Sequence, residues 1–518
     1  MSRFRLRTPA RVTEVQGAAA SSWPRWAVVT RRRRLRSFGP APCSDSNQTM
    51  RPGILLPMRL ALRLSSCFIV ASVICCYAGC YGVSSERDSV SRLALAQVGP
   101  SEHGAAVPVK ADVAARLDSL ASLPWPEGTQ VLRFENLEGA ILLRARLVSA
   151  SGRDTSGVFV LDTGSGFLAL DLDLARLLGV ADAAARPAAV DLAARPLARL
   201  DLGGLQMDQV SPVLTVDAGV IRRVTGRPVL GLLGQALFRN RAVVLDYLEG
   251  ALAILPPEPV PGSPPLVVKL ALSATAVAVP FRVAGDGKVL VSVRVTSRVG
   301  RPVGKLTVIV DTGATKSVFF RAALDRRLPG WTAWPALRGL GAPTLTRDER
   351  AELVRVTRIE LGARGGSVAR LGVDAAVLGG DLGEKLTGDV GEPVDGLLGY
   401  SFLKHYRLAL DFPRGLLWLD PSRGDVRDRR EEYSHPGLQL ESVGEEVRVF
   451  AVAEGSPAAR AGIRAGDELV AIDGESVSDL DVVAVARRLE GAPGTTLWLG
   501  LRRGPREWTC RLVRRRLL

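Results

Sequence analysis

The stretch VFVLDTGSG, Val158 to Gly166, sets the triplet Asp-Thr-Gly directly behind a run of apolar residues. The same arrangement returns in LTVIVDTGATKSVFF, Leu306 to Phe320, where Asp311 follows Asp162 by 149 residues. Short apolar runs broken by Gly, Asp and Pro are typical of β-strands. Both triplets are therefore expected at the ends of buried strands, in a chain that is mainly β.

A second pair of segments indicates that the chain repeats itself. The alignment pairs GLLGQALFRNRAVVLDYLEGALAIL, Gly231 to Leu255, with GLLGYSFLKHYRLALDFPRGLLWLD, Gly396 to Asp420, at an offset of 165 residues. Eight of these 25 positions are identical, whereas composition alone would give roughly two. Upstream, ILLRARL matches VLVSVRV. The chain is therefore predicted to be an internal duplication of a β-rich unit.

With two Asp-Thr-Gly triplets, each followed by Leu-Leu-Gly, the chain resembles the aspartic proteases over roughly residues 130–420. It is similar to two retroviral-type (retropepsin-like) lobes fused in tandem. The resemblance implies two acid-protease β lobes that form one bilobal unit with a single active site, so that an oligomer is not required. It also implies a polypeptide substrate and neither a metal nor an organic cofactor.

The two aspartates suit this chemistry on physical grounds. When Asp162 and Asp311 are brought together, they cannot both ionise easily, because like charges at close range raise one pKa. The pair then shares one proton, and the apparent pKa values belong to the dyad. The charged member would take a proton from a bound water, and the protonated member would donate to the peptide carbonyl.

The resemblance also assigns supporting roles around the aspartates. Threonines would hydrogen-bond across the pseudo-twofold axis, and the next glycines would let the backbone turn tightly beside the carboxylates. Two later glycines would lie in a ψ-shaped crossing behind the aspartate loops. In this order the residues are Thr163, Thr312, Gly164, Gly313, Gly234 and Gly399.

The two lobes differ directly after the triplet, where the first carries Ser165 and the second Ala314. The Ser165 hydroxyl can donate a hydrogen bond to the Asp162 carboxylate, which favours the charged form. Ala314 offers no such donor. Asp162 is therefore expected to be the charged, water-activating member of the dyad.

Other candidate catalytic residues have a weaker basis. Asp246 and Asp411 occur in both repeats, but their setting in VVLDYLEG and LALDFPRG indicates hairpin turns. The chain contains no G-x-S-x-G motif, and no histidine lies near Ser165 in sequence, so nothing signals a serine protease. The three histidines are scattered, whereas a zinc site needs more ligands at short spacing.

A separate C-terminal unit is expected, because GSPAARAGIRAGDELVAIDGESV, Gly455 to Val477, resembles a bacterial PDZ domain, a β fold with two helices. The resemblance implies a short helix after Ser456 and a strand from Glu468 to Ile472. A second helix, with its N-cap at Ser478, would line the ligand groove.

The segment GLQL, which contains Gly437, Leu438 and Leu440, stands where the carboxylate-binding loop of such a domain is expected. A PDZ groove takes a peptide as an added strand and binds its C-terminus with backbone amides. This implies a peptide or protein ligand. The alternative is an empty groove in a domain that only packs on the two lobes.

Charge and cysteine content are concentrated near the N-terminus. The formal net charge is +15, but the first 63 residues carry 13 Arg against one Glu and one Asp, a net of +11. The rest carries about +4, which argues against nucleic-acid binding. Five of the six cysteines precede residue 81, and only Cys510 lies in the body of the chain, so no internal disulfide is expected there.

The segment from Leu64 to Ser85 has no charged residue and follows a basic flank, the pattern of an export signal. Its end, YAGC, resembles a bacterial lipoprotein cleavage site with Cys80 as the lipidated residue. Ordinary signal cleavage and an uncleaved anchor helix are the alternatives. Each of them places the rest of the chain outside the cytoplasm, in the cell envelope or periplasm, with a membrane tether expected at the N-terminus.

The predicted organisation has five parts: a basic extension with signal or anchor (1–83), a tether (84–127), a first lobe (128–258), a second lobe (267–421) and a PDZ domain (435–518). The predicted function is an aspartic endopeptidase with a PDZ domain for peptide recognition. The alternative is a non-catalytic envelope adaptor that binds peptides through the PDZ groove and keeps the protease fold as a scaffold.

Overall fold

The computed structural model describes residues 118–184, 190–257, 269–297, 305–345, 348–363, 366–421 and 432–518. All of them belong to one compact unit. The predicted basic extension, the export signal with Cys80, and most of the tether and of the proline linker lie outside these residues. Among the described helices, none is both long and apolar enough to cross a membrane.

The described chain up to Gly234 forms ten strands. They are β1 (Gln130–Arg133), β2 (Glu135–Leu137), β3 (Ala140–Val148), β4 (Asp154–Asp162), β5 (Leu168–Asp171), β6 (Val190–Leu192), β7 (Leu197–Leu202), β8 (Leu205–Val210), β9 (Val213–Val216) and β10 (Val229–Gly234). Strands β2 to β10 form the sheet of the first lobe, in the order β6-β9-β5-β10-β4-β3-β7-β8, with β2 paired to β3.

Thirteen further strands follow in the described chain up to Asp420. They are β11 (Ala242–Asp246), β12 (Ala251–Ile254), β13 (Val277–Pro280), β14 (Arg282–Val283), β15 (Val289–Thr296), β16 (Lys305–Val310), β17 (Ser317–Phe320), β18 (Ala336–Pro343), β19 (Asp348–Ala363), β20 (Gly366–Leu378), β21 (Gly396–Leu398), β22 (Arg407–Asp411) and β23 (Leu416–Asp420). Strands β14 to β21 form the sheet of the second lobe, in the order β14-β15-β16-β21-β17-β20-β19-β18.

The two sheets repeat the same crossing around the Asp-Thr-Gly loops. In the first lobe β10 runs parallel to β4, and Gly234 lies beside Asp162. In the second lobe β21 runs parallel to β16, and Leu398 lies beside Val310. Strands β10 and β21 also pair antiparallel with β5 and β17, the strands that leave the two triplets. The duplication seen in the sequence is therefore a duplication of strand topology.

A six-stranded sheet, in the order β1-β12-β11-β22-β23-β13, joins the lobes. At its centre β11 pairs antiparallel with β22, and Val244 lies opposite Ala409. These two residues are 165 positions apart, which is the offset at which the sequence repeats align. The pseudo-twofold axis of the duplication therefore passes between them.

Short helices connect the strands. They are α1 (Leu172–Leu177), α2 (Gly219–Thr225), α3 (Arg321–Arg327), α4 (Leu382–Val390), α5 (Tyr400–Leu403), α6 (Pro457–Arg460) and α7 (Val482–Leu489). Helix α2 buries Val220, Ile221 and Val224 and ends at Gly226 in the left-handed region, with φ of 62°. Glycine is favoured there because a residue without a Cβ atom adopts the left-handed conformation without steric cost.

The C-terminal domain adds β24 (Ser434–His435), β25 (Leu438–Val443), β26 (Glu446–Val452), β27 (Glu468–Ile472), β28 (Glu475–Ser476), β29 (Thr496–Arg503), β30 (Arg506–Val513) and β31 (Arg515–Arg516). Its main sheet has the order β25-β26-β27-β29-β30, so β25 is an edge strand. With α6 and α7, this is the β fold with two helices that the sequence predicts, and the mainly β class of the whole chain is confirmed.

Of the predicted elements of this domain, the first helix and one strand are confirmed, whereas one helix cap is not. The strand from Glu468 to Ile472 is as predicted, and the Ser456 hydroxyl caps α6 by accepting from the Ala459 N–H at 3.1 Å. The predicted N-cap at Ser478 is wrong. Helix α7 begins four residues later, and Asp481 caps it by accepting a hydrogen bond from the backbone at 2.7 Å.

The predicted tether does not extend to residue 127 as an unpacked segment. A 3-10 helix, Leu120–Ser122, lies against the six-stranded sheet, and Leu120 is fully buried. The Leu120 N–H donates to the Glu249 carboxylate at 2.9 Å, and the Trp125 ring N–H donates to the Leu120 carbonyl at 2.6 Å. Residues 118–127 therefore belong to the folded body.

A buried ion pair links the hairpins of the two repeats. Arg407, on β22, is fully buried and donates through Nε to Asp246 Oδ2, on β11, at 2.8 Å. Its Nη atoms donate to the carbonyls of Ala271 and Asp118, each at 2.9 Å. The other Asp246 oxygen accepts from the Glu249 N–H at 2.9 Å, which places Asp246 in a hairpin turn as predicted.

Replacing Asp246 by Asn should lower the free energy of unfolding by about 3–5 kcal/mol, because the buried Arg407 charge loses its main partner. The matched control is Asp208→Asn, which breaks the exposed Arg199–Asp208 pair and should change stability by less than about 1 kcal/mol. Urea unfolding of both variants measures the difference. Equal effects of the two substitutions would contradict the assignment of Asp246 to the structural core.

Candidate active site

Reciprocal hydrogen bonds hold the two Asp-Thr-Gly loops together. The Thr163 N–H donates to Thr312 Oγ1 at 3.1 Å, and the Thr312 N–H donates to Thr163 Oγ1 at 3.0 Å. Each hydroxyl then donates across the axis, Thr163 to the Val310 carbonyl at 2.8 Å and Thr312 to the Leu161 carbonyl at 2.9 Å. The cross-lobe bonds implied by the resemblance are therefore present, and they are buried.

Each aspartate lies against the glycine of the other lobe. A Cβ atom on Gly164 would stand 2.5 Å from Asp311 Cγ, and one on Gly313 would stand 2.7 Å from Asp162 Cγ. The sequence-based reason for these glycines, a tight backbone turn, is therefore not the main one. Glycine is required because any side chain would occupy the place of the opposing carboxyl group.

Backbone N–H groups bind one oxygen of each aspartate. Asp162 Oδ1 accepts from the Ser165 N–H at 3.1 Å, and Asp311 Oδ1 accepts from the N–H groups of Gly313 at 2.8 Å and Ala314 at 3.1 Å. The second oxygen of each, Oδ2, is buried and meets no N–H or O–H donor among the described residues. One proton held between the two carboxyl groups would supply the missing partner.

The two carboxyl groups differ in how readily they ionise. Burial raises the pKa of Asp162 well above its ordinary value, and the charge and hydrogen bonding of the neighbouring Asp311 raise it further. Burial also raises the pKa of Asp311, to about 6, while hydrogen bonds from Asp162 and from the backbone oppose the rise. These shifts favour ionisation of Asp311 before Asp162, so the proton that the pair shares is expected on Asp162.

This assignment is the reverse of the one predicted from Ser165. The Ser165 hydroxyl donates to the Phe167 carbonyl at 2.9 Å and not to the Asp162 carboxylate. Ser165 binds Asp162 only through its backbone N–H, which Ala314 matches in the other lobe. The hydroxyl therefore creates no difference between the aspartates, and the additional N–H from Gly313 favours ionisation of Asp311.

The crossing glycines lie where the sequence places them, behind the aspartate loops. A Cβ atom on Gly234 would collide with the Phe167 carbonyl, and one on Gly399 would stand 2.6 Å from the Ala314 carbonyl. Just beyond them, the Gln235 N–H donates to the Ser165 carbonyl at 3.0 Å. The glycines thus let β10 and β21 pack closely enough to support the loops.

Two tyrosines near the dyad were missed at the sequence level. The rings of Tyr247 and Tyr400 meet edge to face at 5.0 Å, and both side chains are buried. Burial raises the pKa of Tyr247, with a further contribution from the Asp311 charge. Its hydroxyl has no hydrogen-bond partner within the described chain. The only sequence signal for Tyr247 is its position directly after the repeated Asp246. The second repeat carries Phe412 at the equivalent position, so the tyrosine itself is not repeated.

Solvent does not reach the dyad in this structure, because Asp162 and Asp311 both have 0% exposed surface. The lobes also contact each other through two turns. A Cβ atom on Gly139 would stand 2.6 Å from the Tyr400 ring, and one on Gly287 would stand 2.7 Å from Arg239 Nη2. Access of a peptide to the dyad therefore requires movement of the lobes or of what covers them.

Metal ligands are not grouped in the part of the chain that the structure describes: no set of three or more His, Cys, Asp or Glu side chains is placed to hold an ion.

The predicted peptide-binding residues of the C-terminal domain lie at the start of β25. The Gly437 N–H donates to His435 Nδ1 at 3.0 Å, so this amide is already bonded inside the domain. Leu438 and Leu440, on β25, are buried.

Comparison with known proteins identifies the C-terminal domain. Residues 448–503 match the PDZ domain family, so the chain contains a PDZ domain. The chain is 48% identical over 54 residues to carboxyl-terminal-processing peptidase 3, chloroplastic, of Arabidopsis thaliana, a match that covers 10% of each protein. The chain thus spans about a tenth of the length of this curated relative.

Two solved structures illustrate the range of structural similarity. The PDZ domain of a carboxy-terminal protease from Vibrio cholerae, in complex with a peptide, is 18% identical, with 16% of this chain and 94% of that one covered and a TM-score of 0.15. An aspartic proteinase from Irpex lacteus is 13% identical, with 57% of this chain and 97% of that one covered and a TM-score of 0.34.

The raised pKa of Asp311 predicts a stability effect that needs no activity assay. Between its ordinary pKa of 3.8 and about 6, the folded protein holds a proton that the unfolded chain has lost, so stability falls as pH rises through this window. Asp311→Asn removes this term. It should raise the free energy of unfolding at pH 7 by roughly 2–4 kcal/mol relative to its effect at pH 3.

Denaturant unfolding at the two pH values measures this difference, with Asp208→Asn as the control for loss of an exposed carboxylate. A pH-independent effect of Asp311→Asn would contradict a raised pKa at this position.

Proposed function

We propose that the chain is an aspartic-type endopeptidase whose water-activating dyad is Asp162 and Asp311. One observation carries the proposal: two symmetry-related carboxyl groups, one from each lobe, are buried against each other's glycines and are oriented by reciprocal threonine hydrogen bonds. Burying two carboxyl groups side by side costs desolvation energy and raises a pKa, and such shifts are typical of catalytic sites. Supporting roles belong to Thr163 and Thr312.

The proposed mechanism follows from the different pKa values of the two carboxyl groups. Charged Asp311 takes a proton from a water molecule bound between the carboxyls, while Asp162 donates its proton to the carbonyl oxygen of the scissile peptide bond. Attack of the water oxygen gives a neutral tetrahedral diol. Asp311 then donates its proton to the leaving nitrogen while charged Asp162 takes a proton from a diol hydroxyl, the C–N bond breaks to give an amine and a carboxylic acid, and the dyad returns to its singly protonated state.

The PDZ domain is proposed to recognise peptides or unfolded protein segments. Support comes from the named relatives, a carboxyl-terminal-processing peptidase and a PDZ domain that was solved with a peptide. In this chain, β25 is an edge strand and helix α7 lies against it, the setting in which a peptide can add as a strand.

Export and lipidation at Cys80 remain part of the proposal and concern residues outside the described range. In a bacterial host, the wild-type chain is expected in the membrane fraction and should incorporate labelled fatty acid, whereas Cys80→Ser should not be labelled. Equal labelling of both proteins would exclude Cys80 as the lipidated residue, and an unlabelled wild type would favour signal cleavage or an anchor helix.

Cleavage of an unfolded protein substrate should require both aspartates. Asp162→Asn and Asp311→Asn should each reduce the rate by at least about a thousandfold, because neither half of the dyad can share a proton alone. Activity should rise with pH around 6, where Asp311 becomes charged, and should stay high while Asp162 keeps its proton. Initial rates across pH 3–8 measure both effects.

The control is Asp208→Asn, which changes an exposed carboxylate far from the dyad in sequence and should leave the rate unchanged. Cleavage that persists in both dyad variants would exclude the aspartic mechanism. Absence of cleavage by the wild type and by every variant would favour the non-catalytic adaptor.

A further inference from the structure

The ligand groove of the PDZ domain is already filled by another part of the chain. Its walls are the edge strand β25 and the helix α7, and helix α2 of the first lobe lies against both. Val220, Ile221 and Val224 of α2 belong to the same buried apolar cluster as the groove residues, which include Leu440 and Val482. The apolar face of α2 thus stands where a ligand's side chains would lie.

Charged residues hold α2 in this position. Arg223 donates to Glu441, on β25, at 3.1 Å. Arg227, just after α2, donates to Asp481 at 2.8 Å, and Asp481 is the residue that caps α7. Partial burial opposes ionisation, but the hydrogen bond from Arg227 lowers the pKa of Asp481. The groove therefore has an apolar floor and two carboxylates at its rim, each paired with an arginine.

The same domain also holds the second lobe. The Gln439 side chain makes two hydrogen bonds to the backbone of Gly341, on β18, at 2.8 and 3.1 Å. The Glu454 N–H donates to the Arg338 carbonyl at 2.9 Å. Leu345, at the turn between β18 and β19, is buried in the cluster that contains α2 and the groove. One domain thus contacts a helix of the first lobe and a hairpin of the second.

Both contacted elements belong to the sheets that carry the dyad or lead directly into them. Helix α2 leads directly into β10, whose Gly234 lies beside Asp162. Strands β18 and β19 belong to the sheet that carries Asp311 at the end of β16. The PDZ domain thus contacts elements of both lobes, and the dyad between the lobes has no exposed surface.

We propose that the PDZ domain is an autoinhibitory clasp: α2 is its internal ligand, and displacement of α2 from the groove releases the PDZ domain's hold on the two lobes, so that a peptide can reach the dyad while the threonine bonds keep the two Asp-Thr-Gly loops together. The control of peptide cleavage rests on the proposed endopeptidase function. The binding of α2 in the PDZ groove does not depend on that function. A competing ligand must offer apolar side chains for the groove and basic side chains for Glu441 and Asp481. An unfolded segment with mixed apolar and basic residues has that chemistry.

Charge reversal tests the clasp in the full-length protein. Arg223→Glu and Glu441→Arg each place like charges at the contact, and the double variant restores an opposite pair. Amide hydrogen exchange in α2, β25 and α7 should quicken by at least about tenfold in each single variant, which corresponds to a loss of roughly 1.4 kcal/mol. Exchange should return towards the wild-type rate in the double variant.

Arg176→Glu is the matched control, since it reverses the charge of an arginine in the last turn of α1, which pairs with Asp173 inside the first lobe. It should leave exchange in the groove unchanged. Unchanged exchange in both single variants, or no recovery in the double variant, would overturn the clasp.

Cleavage rates of the same proteins separate the clasp from the enzyme. Rates should follow exchange, at least about tenfold higher in the single variants than in the wild type and lower again in the double variant, and Asp311→Asn should abolish them in every background. Faster exchange without cleavage in any variant would support the contact between α2 and the PDZ groove and would contradict the endopeptidase function. Faster exchange with equal cleavage in all variants overturns the inhibitory role.

Discussion

The reciprocal hydrogen bonds between Thr163 and Thr312 are the contact on which the rest of the structure depends. Two backbone N–H groups and two hydroxyls are buried there, and each finds its partner only in the other lobe. Leaving such groups unpaired costs about 1–3 kcal/mol each. The lobes are therefore held at the one separation that sets each carboxyl group against the opposing glycine.

That separation creates the chemistry proposed for the site. Desolvation raises the pKa of both aspartates, and the charge of one keeps the proton on the other. The difference in pKa between the two aspartates does not come from the Ser165 side chain, because its hydroxyl donates to the Phe167 carbonyl. Backbone geometry favours a charge on Asp311, which accepts from the N–H groups of Gly313 and Ala314 at 2.8 and 3.1 Å.

The strand topology and much of the site can be predicted from the sequence, because both depend on local patterns that occur twice. Apolar runs before each triplet predict β4 and β16, and the gapless alignment of the repeats anticipates the pairing of Val244 with Ala409. The roles of single polar groups are harder to predict. Whether Ser165 bonds to Asp162 or to Phe167 depends on a rotamer, and a capping position such as Asp481 depends on where packing ends a turn.

Contacts between distant segments left no signal in the sequence. Arg223 and Glu441 are 218 residues apart, and neither stands in a motif. Helix α2 has an apolar face of the ordinary kind, which predicts burial but not the surface that buries it. The binding of α2 in the PDZ groove therefore could not be predicted from the sequence. It is seen only in the folded chain, where apolar and charged side chains of α2 contact those of the groove.

Asp162 and Asp311 are proposed to hold one proton jointly at neutral pH. Carbon-13 NMR of the aspartate carboxyl carbons, assigned with the two Asn variants, measures the protonation of each group directly. One carboxyl group should titrate near pH 6, and the second should stay protonated through neutral pH. Two independent titrations near pH 4, the ordinary range for Asp, would contradict it.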